Sequence, residues 1–162
     1  MLFRSDADVK EKLLKGMKVG DKTFKVHLDG YNLMDTFAGK SASPRHEFFY
    51  FLDDGTLGGL RYNQWKLVFA EQRSHGFGVW QDPFTPLRFP KLFNLRSDPF
   101  ETADQHSMGY TLWVAERMFL MVPAQQYVGQ FLATFKEYPP SQKPGSFSID
   151  QALEMLQSGG NN

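Results

Sequence analysis

The chain contains no cysteine, and this absence limits its chemistry more than any other feature of the composition. Disulfide bonds, thiolate metal sites and cysteine nucleophiles are excluded within it. The formal net charge is zero, so the excess of basic residues that favours nucleic acid as a partner is missing. No apolar run reaches membrane-spanning length, and no long apolar stretch follows the first arginine as in a signal peptide. These absences predict no nucleic-acid partner and no membrane span. The location stays unknown: a cytoplasmic one is expected for the chain as given, without a signal peptide.

Aromatic residues, by contrast, are abundant, with 16 phenylalanines in 162 residues. The chain is long enough for one domain with a core. Three short runs rich in aromatic and branched side chains predict strands at 46–52, 57–62 and 65–70. Asp53-Asp54-Gly55 and Asn63-Gln64 separate them, and these residue types suit tight turns with positive φ. The pattern predicts an antiparallel meander, which a run from Lys91 to Leu95 extends to four strands.

Helical spacing dominates the second half of the chain. Apolar residues at 108, 112, 115 and 119 predict the buried stripe of a helix over 104–121, and Trp113 and Val114 widen it. Those from Ala124 to Phe135 predict a second amphipathic helix over 123–137. Near the start, Asp8 and Glu11 form a predicted capping box for a short helix that ends before Gly16, and Ser148 is predicted to cap a last one. The predicted fold is therefore α+β, a four-stranded antiparallel sheet with helices packed on one face.

The strand region also carries a family resemblance. The pattern S-P-R-x-E-F-F-Y-F-x-D-D-G-x-L-x-x-L-R-Y-x-x-W-K-x-x-F-x-E-Q-R runs from Ser43 to Arg73 and resembles the C-terminal part of bacterial arylsulfatases. Lys91 to Glu101 is similar to the family's L-[YF]-[ND]-L-x-x-D-P-x-E strand and turn, and residues 122–137 are similar to its tail. Together these segments suggest a sulfatase C-terminal subdomain without its catalytic domain.

A further matching segment, Asp29 to Leu33 with Gly39, is similar to the piece that joins the two parts of a sulfatase. Here Asp35 or Thr36 stands where that family usually has proline. The resemblance covers about residues 8–157. It implies an N-terminal helix and arm over 1–40, the α+β subdomain over 41–157 and a frayed tail over 158–162.

By resemblance, a full-length parent would hydrolyse sulfate esters with a formylglycine and a divalent cation, usually calcium, and a periplasmic location stays open for it. This chain lacks the C/S-x-P-x-R motif, because Ser43-Pro44-Arg45 has the wrong spacing. It also has no counterpart of the family's Asp and Asn metal ligands. We therefore expect no catalytic residues, no metal ligands and no cofactor in this chain, which would supply structure and one wall of a substrate cleft.

The candidate binding residues lie in a long predicted loop over 71–90. Arg73, His75 and Trp80 are the types that edge a cleft for an aromatic anion. The plainer interpretation is that Trp80 and Phe84 fix the loop to the sheet while the two basic residues stay solvated. Both interpretations remain open at this stage.

Other constellations have plainer explanations. Glu101, Asp104 and His106 are close enough in sequence to touch a cation, but acids commonly stand at the start of a helix. Asp53 and Asp54 resemble paired catalytic carboxylates, but a hairpin turn explains them. The G-x-S-x-G elbow of serine hydrolases is missing, while a triad scattered in sequence is recognised only by geometry.

Three functions remain open: an arylsulfatase-like subdomain or fragment, a stand-alone binding or assembly module, and a small esterase-like hydrolase with its own site. The partner of the first is a sulfatase catalytic domain. For the chain alone we expect a homo-oligomer, because the run from Phe48 to Leu52 is apolar on both strand faces and the helices can cover only one.

Overall fold

The computed structural model describes residues 8–139. These residues form two compact units, one of 8–45 with 125–139 and one of 46–124. The predicted helix from Ser148 and the predicted tail over 158–162 lie outside the described residues.

The first unit begins with helix α1 (Val9–Lys15), which ends at Gly16 with a φ of 101°. Glycine adopts this angle without steric cost, as the sequence predicts. Asp8 occupies the N-cap position, but its side chain makes no capping hydrogen bond, so the predicted capping box is wrong. A small antiparallel hairpin of β1 (Met17–Val19) and β2 (Lys22–Phe24) follows.

Short helix α2 (Met34–Phe37) completes the N-terminal part of this unit, and its C-terminal part comes from α5 (Met121–Glu137). Pro123 stands in the first turn of α5, where a missing N–H costs nothing. The predicted apolar face of α5 is buried or half-buried at every position except Leu132, which is 41% exposed. Phe131 and Phe135 pack edge to face on it, with ring centroids 5.4 Å apart.

The second unit is built on a four-stranded antiparallel sheet in the order β3-β4-β5-β6. The strands are β3 (Glu47–Phe51), β4 (Leu57–Tyr62), β5 (Trp65–Glu71) and β6 (Thr85–Asn94). The predicted pairings of the first three strands are confirmed. The α+β class and the four-stranded antiparallel sheet are confirmed with them.

One row of leucines crosses this sheet and forms its core. Leu60 is opposite Leu67, and Leu67 is opposite Leu92, in consecutive strand pairs. All three are at most 3% exposed. Burying a leucine side chain contributes about 1.5–3 kcal/mol, so this row accounts for much of the hydrophobic stabilisation of the sheet.

The two predicted turns have the expected backbone. Gly55 has a φ of 78° and Asn63 a φ of 51°. The Asp54 carboxylate accepts a hydrogen bond from the Thr56 N–H at 2.9 Å. Asp54 is therefore a turn former, as its position between two strands indicates.

Strand β6 is longer than predicted. It begins at Thr85 rather than Lys91, and so takes in the end of the predicted 71–90 loop. Pro86 and Pro90 made that segment look irregular, but β6 is an edge strand, where proline is tolerated because one side of the strand has no ladder partner. The connection between β5 and β6 shortens to residues 72–84.

The predicted single helix over 104–121 is wrong. The segment forms α3 (Ala103–His106), α4 (Tyr110–Ala115) and a 3₁₀ turn (Met118–Leu120). The predicted buried stripe is on the outside, with Met108, Leu112, Ala115 and Phe119 all exposed.

The side of α4 that faces inward carries Tyr110 together with Trp113 and Val114, the two residues predicted to widen the stripe, and Val114 is 8% exposed. The aromatic rings decide this rotation, since the ring centroids of Trp113 and Trp65 are 6.0 Å apart and those of Tyr110 and Phe93 are also 6.0 Å apart. These large rings bury more area than Leu112 and Ala115, the exposed apolar residues of α4, offer.

Candidate functional site

The loop between β5 and β6 is held in one shape by the side chains at its base. Gln72 Nε2 donates to the Asp82 carbonyl at 2.8 Å, and Gln72 Oε1 accepts from the Ser74 N–H at 2.9 Å. The Ser74 hydroxyl donates to the Asp82 carboxylate. These bonds close the loop around a 3₁₀ turn, Gly76–Trp80, which begins at a glycine with a φ of 57°.

This braced turn presents aromatic side chains to solvent. Phe77 is 75% exposed and Trp80 is 81% exposed. The plainer interpretation, in which Trp80 fixes the loop to the sheet, is therefore wrong for Trp80, because its ring is not buried. Phe84 is half-buried at the end of the loop.

Arg73, His75 and Trp80 lie on this one loop, but no hydrogen bond, ion pair or ring contact joins any two of them in the described part of the chain. Arg73 Nε donates to Glu71 Oε1 at 3.0 Å, and its side chain stays 64% exposed. A ligand that contacts all three side chains would therefore lie on an exposed surface, where the positive charge of Arg73 is already paired with Glu71.

Next to the loop, an ion-pair cluster joins β5, β6 and α3. Lys91 Nζ lies 2.5 Å from Glu71 Oε2 and 2.6 Å from Asp104 Oδ2. The hydrogen bond from Lys91 holds the pKa of Glu71 below its usual value, and the bond to Asp104 raises the pKa of Lys91. A parallel pair joins Lys66 Nζ to Glu101 Oε1 at 2.6 Å.

These pairs account for the acidic residues near 101–106. Glu101 and Asp104 each bind a lysine, while His106 Nδ1 lies 3.2 Å from the Thr102 carbonyl. Among residues 8–139, no group of three or more histidine, aspartate or glutamate side chains is arranged to hold a metal ion. The Glu71–Lys91–Asp104 cluster joins β5, β6 and α3, and we interpret its role as structural.

Sequence reasoning missed a cavity of 350 Å³ beside the β6 edge of the sheet. Its aromatic walls come from Phe93 in β6 and from Tyr110 and Trp113 in α4, and Asn94 and Ser107 line it as well. The sequence feature that corresponds to this cavity is the pair of rings at i and i+3, Tyr110 and Trp113. From the sequence alone such a pair predicts a buried helix face, because the orientation of α4 about its axis is not known.

A second cavity, of 170 Å³, lies within the unit formed by 8–45 and 125–139. His27 Nδ1 lies 3.0 Å from Asp29 Oδ1 at its wall, and the His27 ring is 5.8 Å from the Tyr138 ring. An aspartate beside a histidine is part of a hydrolytic triad, but a triad also needs a nucleophile bonded to the histidine. No serine or threonine hydroxyl bonds to His27 in the described structure.

Within residues 8–139, no helix is both long enough and apolar enough to span a membrane. No protein-family model matches the chain, and a comparison with curated proteins finds no match for it.

Proposed function

We propose that this chain is a C-terminal subdomain of the arylsulfatase type, which supplies structure and one wall of the substrate cleft to a catalytic domain that hydrolyses sulfate esters. The observation that carries the proposal is the coincidence of the motif with the sheet. The pattern from Ser43 to Arg73 falls on β3, β4 and β5 in order, and its D-D-G element falls on the turn at Gly55.

The second similar segment, Lys91 to Glu101, also falls on structural positions. It forms the end of β6 and the turn in which the Asp98 carboxylate accepts from the Ala103 N–H at 2.8 Å. In the proposed role, Arg73, His75 and Trp80 face the cleft as rim residues. Formylglycine and calcium would belong to the catalytic domain, not to this chain.

Sequencing of the genomic DNA upstream of codon 1 tests this role. We expect an open frame in phase with this chain that encodes a C/S-x-P-x-R motif and the Asp and Asn ligands of a sulfatase. A stop codon in phase close to codon 1, with the chain expressed from its own promoter, would contradict the proposal.

The second candidate is a stand-alone assembly module that forms a homo-oligomer. The exposed apolar residues of the segment 108–122, called the exposed stripe below, favour it, since Leu112, Phe119 and Val122 are each more than 60% exposed. Large exposed apolar surfaces on soluble proteins commonly mark an interface. Without a catalytic domain the purified chain is expected to self-associate under either candidate, so the upstream reading frame, and not the oligomeric state, separates the two.

A further inference from the structure

The 350 Å³ cavity, called the aromatic cavity below, has fixed walls. The rings of Tyr110 and Trp113 are stacked, with centroids 6.2 Å apart and planes inclined by 22°. Tyr110 also packs on Phe93, and the Arg117 guanidinium lies 4.6 Å from the centroid of Trp113. Each wall therefore has a neighbour that holds its orientation, and such a site loses little side-chain entropy when a ligand enters.

The size and composition of the aromatic cavity suit one substituted ring. Its volume of 350 Å³ is at the lower end of the range of about 300–1,000 Å³ that is typical of ligand sites. Aromatic walls favour an aromatic ligand, because offset and edge-to-face ring pairs contribute beyond the area they bury.

Two polar groups at this cavity are uncommitted. Asn94 Oδ1 accepts from the Arg96 N–H at 3.1 Å, which leaves the Asn94 amide NH₂ as a donor without a protein partner in the described structure. The Ser107 hydroxyl likewise has no hydrogen bond within residues 8–139. Since the Asn94 NH₂ can only donate, its partner on a ligand must accept, whereas Ser107 can do either.

The charge carried by the described lining residues of the aromatic cavity is negative, since Arg117 lies against Trp113 and outside the lining. Asp98 is the one charged residue among the described lining residues. Its carboxylate accepts from the Thr102 N–H at 3.1 Å and from the Ala103 N–H at 2.8 Å. These bonds, that of Thr102 first, hold its pKa below the usual value, so Asp98 is ionised at neutral pH. An anionic ligand such as an aryl sulfate is repelled, and an ammonium group cannot accept from Asn94.

We propose that the aromatic cavity is a binding site for a neutral hydroxylated aromatic ring of the size of a simple phenol. The ring packs against the wall formed by Phe93, Tyr110 and Trp113, and its hydroxyl accepts from the Asn94 amide and donates to Ser107. The proposal does not depend on the sulfatase role, which places substrate contacts on the loop of Arg73, His75 and Trp80.

The test uses the whole purified chain and three probes: p-cresol, toluene and phenyl sulfate. Titrations followed by ¹H–¹⁵N spectra report on the indole N–H groups of Trp65, Trp80 and Trp113 separately. We expect p-cresol to shift the signal of Trp113 and to leave that of Trp80 in place. Toluene should bind about 2- to 10-fold more weakly, because it lacks one neutral hydrogen-bonding group. Phenyl sulfate should bind more weakly than p-cresol, because its anionic group meets the Asp98 carboxylate and has no proton to donate to Ser107.

The Ser107→Ala variant tests the polar contact. It should reduce the preference for p-cresol over toluene, while Thr111→Ala, which removes a hydroxyl from an exposed residue of α4 outside the cavity lining, should leave that preference unchanged. The proposal is overturned if p-cresol and toluene bind equally, if Ser107→Ala keeps the full preference, if phenyl sulfate binds as well as p-cresol, or if the shifts appear at Trp80. Only shifts at Trp80 would point to the loop, whereas the other three results concern the aromatic cavity, so failure here is distinguishable from failure of the sulfatase role.

Discussion

The Tyr110 hydroxyl closes the open edge of the sheet at Leu92. It accepts from the Leu92 N–H at 3.0 Å and donates to the Leu92 carbonyl at 3.1 Å. Since β6 is an edge strand, this one side chain supplies the hydrogen bonds that a fifth strand would provide at that position. Helix α4 is thereby attached to the backbone of the sheet by two hydrogen bonds, in addition to the ring contacts.

Replacing Tyr110 by phenylalanine should therefore destabilise the unit formed by residues 46–124. The ring contacts remain, but the buried Leu92 loses both hydrogen bonds, and an unsatisfied buried backbone group costs about 1–3 kcal/mol. Urea denaturation measures the loss. Tyr50→Phe is the matched control, because no hydrogen bond of the Tyr50 hydroxyl is found within residues 8–139. Equal midpoints for the two variants would contradict the edge-closing role.

Alanine should have opposite effects at two glycines. Gly55 has a φ of 78°, and a left-handed conformation costs a residue with a Cβ about 1–2 kcal/mol, so Gly55→Ala should destabilise the hairpin. Gly129 lies within α5, and a Cβ added there meets no heavy atom within 4 Å. Gly129→Ala should therefore stabilise the helix by about 0.8–1 kcal/mol. Thermal unfolding gives both signs, and a stabilising Gly55→Ala would disprove the turn conformation.

The stability of the sheet should fall at both ends of the pH range through the Glu71–Lys91–Asp104 cluster. The folded-state pKa of Glu71 lies below its usual 4.5, so its stabilising contribution is present above that value and is lost as the pH falls through the lower folded-state pKa. The pKa of Lys91 lies above its usual 10.5, so its contribution is present below that value and is lost as the pH rises through the higher one.

The variant that tests this prediction is Glu71→Gln. Its melting temperature should be lower than that of the wild type at pH 7, and the difference should shrink below pH 4.5, because protonation removes the same charge from the wild type. Asp53→Asn, in an exposed turn, is the control for the loss of an acidic charge. A difference from the wild type that is independent of pH would show that Glu71 acts by packing alone.

The purified chain should have no arylsulfatase turnover with or without calcium, because the formylglycine motif is missing from its sequence. The assay uses an aryl sulfate, with a heat-killed sample as its blank. An aryl ester in a parallel assay tests the hydrolase alternative, with His27→Ala as the variant that removes a histidine paired with an aspartate at a cavity wall. Ester hydrolysis that is lost in His27→Ala would favour that alternative over both others.

The purified chain should self-associate through the exposed stripe of residues 108–122. Sedimentation at micromolar concentration should give a species larger than the 18.6 kDa monomer, and Leu112→Asp or Phe119→Asp should reduce it to the monomer. Phe77→Asp introduces the same charge at a similarly exposed ring in the loop between β5 and β6, and it should leave the assembly intact. A monomer in the wild type would contradict this prediction.

The sequence by itself determined the meander, because its information is local. Strand runs alternate with turn residues, and the positive φ angles at Gly55 and Asn63 follow from residue type at a given spacing. The apolar face of α5 is equally readable, since one continuous helix keeps one period over its whole length. The resemblance rests on these same segments.

Tertiary structure decided the rest, and the clearest case is α4. Its sequence carries an apolar stripe through Leu112 that Trp113 and Val114 widen, and periodicity cannot show which part of the stripe faces the sheet. The orientation came from β6, whose open edge at Leu92 needs a donor and an acceptor that the Tyr110 hydroxyl has and the stripe lacks. The aromatic cavity and the exposed stripe both follow from that choice. They depend on contacts between residues far apart in the chain, which no local pattern encodes.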